Sequence, residues 1–163
     1  MVSLPGGGLY AADSGAIAFC RVAYIGRVNH SASFVPPGET PRPLVVVVDD
    51  EPLLRKLMGA ALESHYRVLL AEDGAGALQL FGGVGVESIA AVVTDIRMPG
   101  MDGLALAAAL RDRGIEVPIL FVSGFAVIGQ APGPTLPKPF SPDDLLAAVQ
   151  QLLNSTPGSG HVH

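Results

Sequence analysis

The chain has no tryptophan, one cysteine, and only ten lysine and arginine residues among its 163 positions. A single thiol, Cys20, cannot close an internal disulfide, which agrees with a reducing compartment. Fifteen acids outweigh the ten bases, and the formal net charge of −5 argues against nucleic acid as a direct ligand. No basic residue precedes Arg21, so the N-terminus lacks the charged-then-apolar layout of a secretory signal. No apolar run approaches the roughly 18 residues that a membrane helix needs. A cytoplasmic protein with no membrane partner and no direct nucleic acid partner is therefore expected. What the chain does have is apolar side chains, 49% of the total against 15% charged, enough to build a real core.

The pattern of those side chains divides the chain. Residues 1–42 contain Gly6-Gly7-Gly8 and Pro36-Pro37-Gly38, end in the Pro41-Arg42-Pro43 run, and hold no sustained period. They read as a poorly ordered leader with at most a short local element around Ala16–Tyr24. Residues 155–163 read as a flexible tail. Between them, residues 43–154 alternate short β-branched runs with helical stripes. Leu44–Val48 reads as a buried parallel strand, and Pro52 opens a helix carrying Leu53, Leu54, Leu57, Met58, Ala61 and Leu62. Tyr66–Ala71, Ile89–Thr94 and Val117–Val122 are further strands, and Thr135–Lys138 is a short fifth. Gly74–Phe81 and Gly103–Arg113 are helices, the second closed by Gly114. Ser141-Pro142-Asp143-Asp144 starts a last helix with a serine cap, an early proline and acids that suit the helix dipole. Strands alternating with helices imply right-handed βαβ units and a parallel sheet covered on both faces.

In such sheets ligands sit beyond the carboxyl ends of the strands. Those ends hold Asp49-Asp50-Glu51, Asp95, Ser123 and Lys138. Packing needs none of them, because adjacent carboxylates repel and raise one another's pKa values. A divalent cation removes that conflict, and Mg²⁺ suits one or two carboxylates with water and phosphate oxygens. A carboxylate beside Mg²⁺ can accept a phosphoryl group, a lysine can neutralise it, and a hydroxyl can donate to it. Taken singly, Asp49 and Asp50 also suit helix caps, Asp95 a turn and Asp102 the cap of the helix that follows it.

Four stretches together resemble the receiver domains of two-component systems. They are Val45-Val46-Val47-Val48-Asp49-Asp50-Glu51-Pro52, the run from Val93 to Gly103 (VTDIRMPGMDG), Leu120-Phe121-Val122-Ser123-Gly124, and Lys138-Pro139-Phe140. Each motif is weak alone, but the ordered set over residues 43–154 is very specific. The resemblance implies a flavodoxin-like, doubly wound, five-stranded parallel sheet in the order 2-1-3-4-5. It implies that Asp95 is the phosphoacceptor, that Asp50 and Asp95 bind Mg²⁺ directly, that Asp49 acts through water, and that the Arg97 carbonyl is a further ligand. Ser123 would donate to the phosphoryl group, Lys138 would pair with it, and the Lys138–Pro139 peptide would be cis. The implied partners are a histidine kinase or phosphotransfer protein and an unnamed downstream protein. The implied role is a phosphorelay switch that catalyses only its own phosphorylation and dephosphorylation.

The sequence departs from that family twice. The interval between the fourth and fifth strands, Gly124 to Pro134, is too short and too rich in Gly and Pro for a full helix, so the fourth helix should be short or absent. The aromatic residue usual three positions before Lys138 is Thr135 here, with Phe125 the nearest substitute. Two rival readings stand beside the switch: a docking module that works unphosphorylated, and an aspartyl-phosphate phosphatase. The second usually places its nucleophile and acid two residues apart, whereas Asp49 and Asp50 are adjacent.

Overall fold

The computed structural model describes residues 23–25, 42–84, 89–124 and 131–155. Its elements are β1 (Ala23–Ile25), β2 (Leu44–Val48), α1 (Pro52–Leu62), β3 (Arg67–Ala71), α2 (Gly74–Val84), β4 (Ile89–Asp95), α3 (Gly103–Asp112), β5 (Ile119–Ser123), β6 (Thr135–Pro137) and α4 (Pro142–Ser155). The sheet runs β1-β3-β2-β4-β5-β6. The pairings among β3, β2, β4, β5 and β6 are all parallel, so the five expected strands stand in the order 2-1-3-4-5.

The sixth strand, β1, was not foreseen as part of the sheet. It comes from the leader, overlaps the local element expected there, and pairs antiparallel with β3, Tyr24 opposite Leu69. The other leader residues up to 41, with Cys20, lie outside the described residues, as do 85–88, 125–130 (with Phe125) and the tail from 156. Four helices are present among the described residues, and residues 131–134 carry none. None of the described helices is long and apolar enough to cross a membrane.

Strand alternation sorts the core into two layers. Val45, Val47, Val68, Leu70, Val93 and Val122 face α1 and α4, where they meet Met58, Leu62, Leu145 and Val149. Leu44, Val46, Val48, Leu69 and Val92 face α2 and α3, where they meet Leu78, Phe81, Leu106 and Leu110. Both sheet faces are thus dry, which is why β2 carries five apolar residues in a row rather than an alternating pattern.

The helix ends follow their sequence signals. Asp102 caps α3, its carboxylate accepting the Ala105 N–H at 2.7 Å. The same helix stops at Gly114, whose φ of 71° suits glycine. There the Gly114 and Ile115 N–H groups return to the Arg111 and Leu110 carbonyls, both at 2.9 Å. At the start of α4 the Ser141 hydroxyl accepts the Asp144 N–H at 3.2 Å, while the Asp144 carboxylate accepts the Ser141 N–H at 2.9 Å. Pro137 lies in β6 at the edge of the sheet, where a missing backbone donor is tolerated.

Candidate functional site

Parallel strands end together, so β2, β4 and β5 deliver their last residues to one edge. Asp49 follows β2, Asp95 ends β4, and Ser123 ends β5. Carboxylate oxygens of Asp49, Asp50 and Asp95 all lie within 4.8 Å of one another. Lys138 completes the group: its Nζ donates to Asp95 Oδ2 at 2.5 Å and to Asp49 Oδ2 at 3.4 Å. The Lys138–Pro139 peptide is cis, as the resemblance implied.

The three acids differ in how they are held. Asp49 is fully buried and is not the cap of α1; that position belongs to Glu51, whose side chain makes no capping bond. Its Oδ1 accepts the Glu51 N–H at 2.8 Å, Oδ2 accepts from Lys138, and its backbone carbonyl accepts from Arg55 Nη1 at 2.5 Å. Asp95 is 9% exposed, with Oδ1 accepting the Arg97 N–H at 3.0 Å and Oδ2 held by Lys138. Asp50 is exposed, and no hydrogen bond to its carboxylate is found among the described residues. Among the described residues, two of the carboxylates are therefore anchored and the third is not.

Burial pushes the Asp49 carboxyl above its ordinary value, against the lowering effect of the Glu51 N–H and Lys138. For Lys138, burial works toward a lower pKa, but the hydrogen bond to Asp95 and the charges of Asp49 and Asp95 outweigh it and hold the ammonium above its usual range. One ammonium, paired with Asp49 and Asp95, stands in a cluster of three acids. The remaining negative charge and the all-oxygen donor set fit a hard divalent cation such as Mg²⁺, which takes few carboxylates and keeps its waters.

Ser123 is buried, and its hydroxyl donates to the Gly124 carbonyl at 2.9 Å rather than to a carboxylate. Its own carbonyl accepts the Lys138 N–H at 2.7 Å, which ties β5 to the lysine loop. Arg97 is exposed and joins the site through its backbone N–H. Arg55 escaped the sequence reading. The available signal was a cation in the first turns of a helix, where the dipole disfavours positive charge.

A sequence profile described as the response regulator receiver domain matches residues 45–150. The chain belongs to that family. Among curated relatives, response regulator MprA of Mycolicibacterium vanbaalenii is 35% identical over 125 residues, which cover 71% of this chain and 53% of the relative. The alkaline phosphatase synthesis transcriptional regulatory protein SphR of Synechococcus elongatus is 33% identical over 137 residues, 76% of this chain and 53% of its own length. The chain thus spans about half the length of the curated relatives it matches. Among solved structures, a response regulator receiver protein from Sinorhizobium medicae superposes with a TM-score of 0.60 at 30% identity, over 70% of this chain and 96% of that one. The receiver domain of NtrX from Brucella abortus gives 0.62 at 27% identity, over 69% and 99%. Residues 45–150 form a response regulator receiver domain, a module of two-component phosphorelay signalling.

Proposed function

We propose that this receiver is a phosphorylation switch in which Asp95 accepts a phosphoryl group from the phosphohistidine of a histidine kinase or phosphotransfer protein. The observation that carries the reading is the convergence of the Asp49, Asp50 and Asp95 carboxylates within 4.8 Å of one another, with the Lys138 ammonium paired to Asp49 and Asp95. Asp50, Asp95 and the Arg97 carbonyl would hold Mg²⁺ directly, with Asp49 acting through water. The ion would supply charge neutralisation for the transferring phosphoryl group.

The chain's own residues do the rest. An Asp95 oxygen forms the new P–O bond as the P–N bond to the partner's histidine breaks; the imidazole keeps the electron pair and takes up a proton. Lys138, which pairs with Asp95 in the unphosphorylated site, passes to a phosphoryl oxygen. Ser123 turns its hydroxyl from the Gly124 carbonyl to the same group. That pair of movements biases the surface read by a downstream protein, and hydrolysis of the acyl phosphate resets it. Self-directed phosphorylation and dephosphorylation are the only reactions catalysed.

Residues 43–154 constitute the switching unit, flanked by the leader and the tail. A protein donor is supported by Leu53 and Leu57, which stand 65% and 59% exposed on α1, the helix that follows the Asp49-Asp50 pair. Protein partners in the cytoplasm, rather than nucleic acid or membrane, accord with the net charge of −5. One feature favours the rival in which the domain docks unphosphorylated: Thr135, at the usual aromatic switch position, is not aromatic and donates its hydroxyl to the Gly133 carbonyl. Incubation with Mg²⁺ and acetyl phosphate, followed by intact mass, tests the assignment. The expected result is a gain of one phosphoryl group that needs Mg²⁺ and vanishes in Asp95→Asn. No gain in a folded protein that binds Mg²⁺ would move the reading to the docking module.

A further inference from the structure

Thr94 is the last residue before the phosphoacceptor and is completely buried. By strand alternation its side chain shares the face of Val92, which packs into the layer under α2 and α3. Valine would fill that place equally well, and burying a hydroxyl costs free energy unless a hydrogen bond compensates. The hydroxyl has one: Thr94 Oγ1 donates to the backbone carbonyl of Asp95 at 3.0 Å.

The start of α3 closes on the same carbonyl. Gly103 donates its N–H to the Ile96 carbonyl at 3.1 Å. A Cβ built on Gly103 would run into the Asp95 carbonyl oxygen and would stand 3.1 Å from Thr94 Oγ1. The helix therefore approaches the phosphoacceptor's peptide as closely as glycine alone permits. Asp95 is gripped at both ends: its carboxylate by the Arg97 N–H and Lys138, its peptide by Thr94 with Gly103 pressed against it.

We propose that Thr94, braced by Gly103, is a positioning residue that fixes the Asp95 peptide and so aims its carboxylate at the metal and the phosphoryl group. The inference rests on the phosphoacceptor reading of Asp95. A residue outside the first layer of ligands commonly changes metal affinity or activity by about tenfold or more, and small misplacement of a reacting group slows the reaction comparably.

The test uses the full chain with Thr94→Val and Thr94→Ser, and Thr94→Ala in case the valine variant does not fold. Three readouts are taken: thermal unfolding without metal, the Mg²⁺ dissociation constant by calorimetry, and the rate of phosphoryl gain from acetyl phosphate at saturating Mg²⁺. In Thr94→Val, Mg²⁺ should bind about tenfold more weakly and phosphoryl gain should slow by about tenfold, while serine restores both. A valine or alanine variant that loses only thermal stability, with wild-type Mg²⁺ affinity and rate, overturns the proposal and leaves Thr94 a packing residue. If the wild type binds Mg²⁺ yet gains no mass, the phosphoacceptor reading fails alone, and the calorimetric comparison still decides the role of Thr94. If the wild type binds no Mg²⁺, both fall.

Discussion

The interiors of the parallel strands and their carboxyl ends are built on opposite principles. Within β2, Val45 to Val48 are completely buried and every side chain is a hydrocarbon. One residue further on, Asp49 is equally buried and takes hydrogen bonds from Glu51, Lys138 and Arg55. The interior is held by undirected apolar contact, which tolerates substitution as long as volume is kept. The ends depend on directed bonds, in which each buried polar group needs its own partner. Stability and chemistry are therefore assigned to different residues of the same strand, and a change in one should leave the other largely untouched.

Lys138→Met is the strongest challenge to that separation at the polar end. It removes the cation that faces the buried Asp49 and Asp95, and phosphoryl gain from acetyl phosphate should fall by about a hundredfold or more. The ammonium occupies two carboxylates that the proposed Mg²⁺ site would use, so the metal should bind more tightly in this variant, not less. Rate and affinity moving in opposite directions, read by intact mass and calorimetry, would place Lys138 on the phosphoryl group; both falling together would make it structural.

Leu62→Ala probes the other side. Leu62 is fully buried in the layer between the sheet and α4, and its truncation should cost about 2–5 kcal/mol in denaturant unfolding. Mg²⁺ affinity measured on the folded fraction should stay within a factor of about two, which is less than 0.5 kcal/mol. A large loss of affinity would break the separation of core from site.

The smallest effect is expected at the start of α4. The bonds from the Ser141 backbone and hydroxyl hold the exposed Asp144 carboxyl below its ordinary value of 3.8. A depressed pKa in the folded state means that the contribution is complete above 3.8 and fades as the pH falls through the lower folded value. The melting temperatures of wild type and Asp144→Asn should therefore differ slightly at neutral pH and converge in acid, with the site unaffected.

The separation also explains how much could be read in advance. Strand interiors announce themselves by β-branched runs, and the acids, Ser123 and Lys138 stand out because they interrupt that pattern where a parallel sheet puts its ligands. Asp102 and Gly114 were legible because helix ends follow local chemistry. Three features were not. β1 is three residues long and carries no period, so only the neighbouring edge of β3 reveals it. Arg55 reaches the Asp49 carbonyl by a side-chain path that helical spacing does not specify. Thr94 looked like the polar end of a strand, because sequence does not tell whether a hydroxyl meets water or a neighbouring carbonyl. Ser123 does end its strand, but which acceptor its hydroxyl takes depends on a torsion about one bond.

The two rims of the sheet carry one last consequence. On one side β6 presents Pro137, which has no N–H to offer a newcomer. On the other, β1 covers β3, whose backbone would otherwise be an open template for another chain. A shortened protein starting at residue 43 would keep every residue of the acid cluster and still expose that template. Such a fragment should be more prone to self-association at high concentration than the full chain, so the natural place to trim for the chemistry is the wrong place to trim for solubility.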